Sequence, residues 1–248
     1  MPLANLETLD MNFLDEGEGF PVLLIHGFAS NHSVNWKGTG WVKLLVSSGF
    51  RVIAPDNRGH GQSTKFHDSK DYSLAIMADD CRRLLEHLKI ENCHVLGYSL
   101  GARIASVFTH GFPSLVSRLA LSGNGYNMIE GGFDSSQIHQ GLSAPSMEQV
   151  ESDIGRQFRT FATQTGSDLE ALAACIMGAR EHISEDAFKQ IIQPTIVSVG
   201  TEDTVATNGE KLAETIPNAE FLPIPGRNHM NAVGDKIHKQ GVVDFFLA

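Results

Sequence analysis

Short runs of aliphatic and β-branched residues alternate along this chain with longer stretches of helical period. That alternation predicts an α/β fold, a mostly parallel central sheet with crossover helices on both faces. FPVLLI (20–25), FRVIAP (50–55), CHVLGY (93–98), VSRLALS (116–122), TIVSVG (195–200) and AEFLPI (219–224) are the strand candidates. Between the second and third, Leu74, Ala78, Cys81, Leu84, Leu85 and Leu88 form an apolar stripe at helical spacing. LGARIASVFTHG repeats the pattern in shorter form after the third. The tail KIHKQGVVDFFLA reads as a last helix even though Gly241 costs about 1 kcal/mol relative to alanine. LETLDMNFLDEGEGF is expected to open the sheet as an edge hairpin.

One interval breaks the alternation. From Gly123 to about Gln193 there is no strand candidate, only a Gly- and Ser-rich loop followed by three helix-like pieces. Val150, Ile154, Phe158 and Phe161 share one face of the first, Ser167 with Glu170 reads as a capping box opening the second, and SEDAFKQII makes a short third. The predicted organisation is therefore a single domain: core residues 1–123, a helical lid at 124–193, and core residues 194–248. With 248 residues and 42% hydrophobic content the chain is long enough for one full-sized core.

Charge and cysteine usage narrow the function classes. Nineteen Lys and Arg against 29 Asp and Glu give a formal charge of −10, which repels phosphate backbones and anionic lipid surfaces, so no nucleic-acid or membrane partner is expected. Cys81, Cys93 and Cys175 are odd in number and lack C-x-x-C spacing, which suggests buried free thiols rather than a disulfide framework or a zinc cage. The opening MPLANLETLDMNF has no basic start followed by an apolar run, and no segment supplies about 18 uninterrupted apolar residues. The chain reads as soluble and cytoplasmic.

The third strand candidate ends at Gly97-Tyr98-Ser99-Leu100-Gly101 and passes at once into a helical pattern. A strand, G-x-S-x-G and a helix make a nucleophile elbow: the serine occupies a sharp strained turn, and the glycines let neighbouring backbone approach. By chance the bare pattern arises in roughly one chain in ten of this length, so its placement carries the weight. The turn lifts the hydroxyl to the C-terminal edge of the sheet, at a helix N-terminus that favours negative charge. Serine needs a base, and the base needs a group to fix its tautomer. His229 lies in PIPGRNHMNAVG, just after the last strand candidate, and Asp203 lies in VSVGTEDTVATN, just after the one before it. Both loops belong to the same sheet edge as Ser99.

These features, with HGF at 26–28 after a strand and DNRGHGQS at 56–63, resemble the α/β-hydrolase fold of the lid-bearing esterase type. The likeness spans nearly the whole chain outside the lid, and the chain order Ser99, Asp203, His229 is the order of that family. The resemblance implies that Ser99 attacks a carbonyl carbon, His229 relays the proton, and Asp203 orients the imidazole. It also implies an oxyanion hole from the backbone N–H groups of Phe28 and Leu100. Family spacing favours Asp203 over Glu202, and Gly123-Asn124-Gly125 offers no carboxylate at the alternative acid position. Ala206 stands where relatives often have proline, which predicts a less rigid acid loop.

More ordinary roles compete at each position. Ser99 as a structural serine, His229 as a loop histidine and Asp203 as a turn residue fit less well than the three together. His26, Arg58 and His60 are expected to hold loops, and His139 and His182 lack paired metal-ligand spacing. Two or three of Met128, Met147, Phe158, Phe161, Met177 and Phe188 are expected to line an acyl pocket. The resulting expectation is a serine hydrolase acting on small or medium carboxylic esters through an acyl-enzyme, with no cofactor and no metal. A lactonase, thioesterase, carbon–carbon bond hydrolase, perhydrolase or small-molecule receptor with vestigial hydrolysis would use the same residues. Serine at 99 argues against epoxide hydrolase and haloalkane dehalogenase, which require aspartate there. Oligomeric state is not legible.

Overall fold

In the computed structural model, which describes residues 2–131 and 135–248, eight strands form one sheet. They are β1 (Leu3–Asn5), β2 (Asp10–Glu16), β3 (Phe20–Ile25), β4 (Phe50–Pro55), β5 (Cys93–Tyr98), β6 (Val116–Ser122), β7 (Thr195–Gly200) and β8 (Ala219–Ile224). Their spatial order is β1-β2-β4-β3-β5-β6-β7-β8, antiparallel for β1–β2 and β2–β4 and parallel from β4 to β8. All six sequence-predicted strands occupy their predicted ranges.

An antiparallel hairpin opens the sheet at its edge, as expected, but its first strand starts at Leu3, ahead of the predicted stretch. It is made by β1 and β2, and β3 does not pair back onto β2 but lies between β4 and β5. Between β2 and β3 the chain crosses tightly at Gly17 and Gly19, both at positive φ. A Cβ on Gly19 would collide with the Gly49 carbonyl, and one on Gly17 would crowd the Phe50 carbonyl. At this crossing the chain steps past β4 into the sheet interior instead of turning back.

Ten helices can be numbered along the described residues: α1 (Trp41–Ser47), α2 (Leu74–His87), α3 (Leu100–Gly111), α4 (Asn127–Glu130), α5 (Ser136–Ser143), α6 (Asp153–Gln164), α7 (Leu169–Gly178), α8 (Glu185–Lys189), α9 (Gly209–Thr215) and α10 (Lys236–Leu247). Alternation along β3 divides the core. Val22 and Leu24 pack with Trp41, Leu45, Val242 and Phe246 of α1 and α10, whereas Leu23 and Ile25 join Leu84, Leu85, Ile104 and Phe108 of α2 and α3. Each such buried side chain contributes about 1.5–3 kcal/mol.

Helices α4 to α8 lie between β6 and β7. Residues 132–134 of the predicted lid fall outside the described residues. Helix α5 forms where the sequence suggested only loop: Ile138 and Leu142 are buried one turn apart, too short a stripe to show periodicity among Gly and Ser. Gly141 of α5 lies against the Gly155 backbone of α6, where a Cβ would not fit. The capping box expected from Ser167 is also corrected. Asp168 caps α7, accepting from the Ala171 N–H at 2.9 Å, while Ser167 Oγ pairs with Thr165 Oγ1 at 2.8 Å. A carboxylate one residue on is the stronger acceptor for the positive helix end.

Several buried polar side chains tie loops to the core through hydrogen bonds. Arg58 donates through Nε and Nη2 to the Asp80 carboxylate at 2.6 and 2.8 Å, tying the loop after β4 to α2. His60 Nδ1 donates to the Arg58 carbonyl at 2.9 Å. His238 donates from Nδ1 to the Ala232 carbonyl and accepts at Nε2 from Ser122 Oγ, at 3.1 and 2.8 Å. The three cysteines are buried and free. Among the described residues, no helix is long and apolar enough to cross a membrane.

Burial pushes the imidazoles of His26 and His238 down to about 4 and that of His60 to about 3. Below about pH 6.5 the unfolded chain protonates these histidines while the native fold keeps them neutral. Their stabilisation is therefore complete above pH 6.5 and is lost as pH falls toward 4, by roughly 1 kcal/mol per pH unit for each. Urea midpoints measured from pH 7.5 to 4.5 should fall steeply across this window; a flat profile would contradict the neutral burial of these rings.

Candidate active site

Ser99 sits between β5 and α3 at φ 55°, ψ −115°, outside the regions that L-residues favour. Such a conformation costs about 1–3 kcal/mol and persists only where the surroundings over-determine it. Here the Ser99 N–H donates to the Ser122 carbonyl at 2.8 Å. The Ser99 carbonyl accepts from Asn124 Nδ2 at 2.8 Å and from the Ala102 and Arg103 N–H groups at 2.9 and 3.2 Å. The flanking glycines are sterically required. A Cβ on Gly97 would enter the Gly101 and Ala102 backbone, and one on Gly101 would strike the Ile25 carbonyl of β3. Helix α3 thus leaves the turn in backbone contact with the sheet, with Ser99 at its tip.

The structure brings His229 and Asp203 to that tip. His229 Nε2 lies 3.0 Å from Ser99 Oγ, and His229 Nδ1 lies 2.8 Å from Asp203 Oδ2. With a carboxylate at Nδ1, the neutral ring carries its proton there and Nε2 accepts from the serine hydroxyl. The Asp203 carboxylate is buried, and its Oδ1 accepts from the Val205 and Ala206 N–H groups, both at 2.8 Å. The Ala206 bond bears on the expected loss of rigidity. Proline at 206 would remove this donor, so alanine here adds a tether to the acid.

Phe28 and Leu100 both line the cavity beside Ser99. Leu100 opens α3, whose first N–H groups have no intrahelical acceptor. Phe28 follows the His26-Gly27 turn. His26 donates from Nδ1 to the Gly27 carbonyl at 2.8 Å and accepts from the Asn57 N–H at 2.9 Å, so it holds this turn as a neutral ring. Ala29 comes next at φ 57°, and Thr165, just past α6, donates through Oγ1 to its carbonyl at 2.9 Å.

The cavity measures about 270 Å³. Met128, Phe158 and Phe161 line it; of the other sequence candidates, Phe188 is buried in the core, Met147 is at the surface, and Met177 is not among the lining residues. Four further residues escaped the sequence reading. Tyr98 donates its hydroxyl to the His229 carbonyl at 2.6 Å, and Asn124 holds the serine carbonyl as above. Asn35, in a π-helical turn at Ser33–Lys37, accepts from the Gly27 N–H at 3.2 Å, while its buried Nδ2 has no acceptor. Arg103 lines the cavity one turn beyond Ser99. Its position four residues after the serine, a lone cation in an apolar helix, was the available sequence signal. Among the described residues, no group of three or more His, Cys, Asp or Glu side chains is placed to hold a metal ion.

Comparison with known proteins agrees with this architecture. A family model described as alpha/beta hydrolase fold matches residues 21–171. A 2-hydroxymuconate semialdehyde hydrolase of Pseudomonas sp. strain CF600 is 34% identical over 256 residues, 96% of this chain and 90% of that protein. An uncharacterized protein of Mycobacterium tuberculosis is 46% identical over 105 residues, 42% of this chain, but the match spans only 29% of that protein's length. Among solved structures, a hydrolase from Pseudomonas aeruginosa superposes with a TM-score of 0.83 at 21% identity, covering 100% of this chain and 98% of that one.

The steric account of the turn has a direct check. Gly101→Ala forces a Cβ against the Ile25 carbonyl and should destabilise the fold by about 2–3 kcal/mol, read as a lower urea midpoint with an unchanged slope. An unaltered midpoint would mean that the helix and the strand are not in this contact.

Proposed function

The chain belongs to the alpha/beta hydrolase fold family, and within it we propose a serine hydrolase that cleaves small or medium carboxylic esters through an acyl-enzyme, without cofactor or metal. The observation that carries this reading is the hydrogen-bonded series Ser99 Oγ, His229 Nε2, His229 Nδ1, Asp203 Oδ2 opening onto an apolar-walled cavity. In the proposed reaction His229 takes the hydroxyl proton as Ser99 Oγ bonds to the ester carbonyl carbon. Asp203 stabilises the imidazolium that forms. The carbonyl oxygen gains the negative charge, and the Phe28 and Leu100 N–H groups hold it, each worth about 3 kcal/mol at the transition state. Collapse expels the alcohol, which receives the proton from His229. Water then repeats the sequence on the acyl-enzyme and releases the acid and free Ser99.

A second reading is favoured by one observation. One relative that matches along nearly the whole chain is named 2-hydroxymuconate semialdehyde hydrolase, and we take this as support for the alternative of carbon–carbon bond hydrolysis by the same three residues. Helices α4 to α7 and the segment after α7 supply much of the cavity wall, and we read the insertion as a lid that sets the choice between such substrates.

Ser99→Ala should lower kcat for 4-nitrophenyl acetate by at least about four orders of magnitude while leaving the unfolding midpoint nearly unchanged. A fluorophosphonate probe should label wild type at Ser99 and not the variant. Retained turnover in Ser99→Ala would refute the serine mechanism. Tight ligand binding with negligible turnover in wild type would identify a receptor instead.

A further inference from the structure

Proposed ester hydrolysis leaves one charged group in the cavity wall without a task. Arg103 lines the cavity from α3, one turn beyond Ser99. Its Nη2 donates to the Glu181 carbonyl, and its buried Nε has no acceptor. A guanidinium carries five N–H donors in a planar fork, so a single bond to a carbonyl leaves most of its capacity unused. Burial is the largest influence on this group and pulls its pKa below the usual arginine value, against the attraction of Glu181. Glu181 itself is exposed and bonds to Arg103 only through its carbonyl. Arg180 and Glu181, both exposed on the same wall, offset one another in charge and leave Arg103 as the incompletely compensated cation. The chain as a whole carries −10, so this is a local cationic feature and not part of a basic surface.

A largely desolvated cation with free donors, whose neighbouring Glu181 carboxylate attracts it without a hydrogen bond, is incompletely compensated until a further anion arrives. A carboxylate suits the fork because both its oxygens can accept at once. We propose that Arg103 forms an anion subsite and that the natural substrates of this cavity carry a carboxylate, held by the guanidinium while the scissile carbonyl rests at Ser99. This inference rests on the serine-hydrolase reading and names the substrate class of that site. Arg103 would then act in specificity, with the Phe158 and Phe161 rings among the apolar residues of the same cavity.

The test compares matched esters that differ in charge. Mono-4-nitrophenyl glutarate against 4-nitrophenyl pentanoate places the carboxylate on the acyl side, and 4-acetoxybenzoate against 4-tolyl acetate places it on the leaving group. For at least one pair, wild type should favour the anionic ester tenfold or more in kcat/KM. Arg103→Gln should reduce that ratio by about 10- to 100-fold, and Arg103→Lys by less. A purely structural clamp would lower both members of a pair together, and an unchanged ratio in Arg103→Gln would overturn the proposal. If that variant does not fold, the wild-type preference decides, and its absence from both pairs overturns the proposal.

Glutarate titration of Ser99→Ala, with and without Arg103→Gln, separates the two readings because it needs no turnover. Should wild type cleave no ester through Ser99, glutarate binding that depends on Arg103 would still support the subsite. Binding indifferent to Arg103 would then overturn it. Conversely, Ser99-dependent cleavage without any charge preference removes the subsite and leaves the hydrolase reading in place.

Discussion

The close approach of α3 to β3 at Gly101 is the constraint on which the rest of the site depends. With a hydrogen atom where other residues carry Cβ, the helix backbone meets the Ile25 carbonyl, and the turn before it becomes sharp enough to hold Ser99 at positive φ. Three consequences follow from that geometry. The hydroxyl stands above the sheet edge, the first N–H of α3 is left for a ligand, and the strand ending at Ile25 delivers His26, Gly27 and Phe28 to the opposite side of the serine. Nucleophile and proposed oxyanion donors are therefore set by one contact between a helix and the strand beside its own.

The partner loops are secured separately, each by bonds to its own surroundings. Asp203 is fixed by two main-chain donors within its turn. The His229 loop is held from below, by Tyr98 on the His229 carbonyl, Trp41 Nε1 on the Val233 carbonyl at 2.7 Å, and His238 on the Ala232 carbonyl. Those three donors come from β5, α1 and α10, so the imidazole takes its position from the sheet and from the helices on the face opposite α3. His238 also reaches Ser122, whose carbonyl binds the Ser99 N–H. Neutral burial of that ring joins the two halves of the site through a single side chain.

Legibility in the sequence followed the range of the underlying interactions. Buried parallel strands are short apolar runs in any context, and the glycines around Ser99 answer to sterics within five residues, so both could be read directly. His229 and Asp203 were legible because a strand-end loop has only one sheet edge to occupy. The first strand of the edge hairpin was not legible because three residues, Leu3–Asn5, are too few to show an alternation. Helix α5 was missed because its stability comes from packing against α6 and not from its own composition. Tyr98 and Asn35 act through a hydroxyl and an amide on distant main chain, which no spacing rule encodes.

The alanine after Phe28 occupies the left-handed region without the conformational freedom of glycine, and the group that holds its carbonyl belongs to the end of α6. The backbone around the proposed Phe28 donor is therefore braced from the insertion between β6 and β7, so that α6, whose Phe158 and Phe161 wall the cavity, also steadies through Thr165 the strand-end turn beside Ser99.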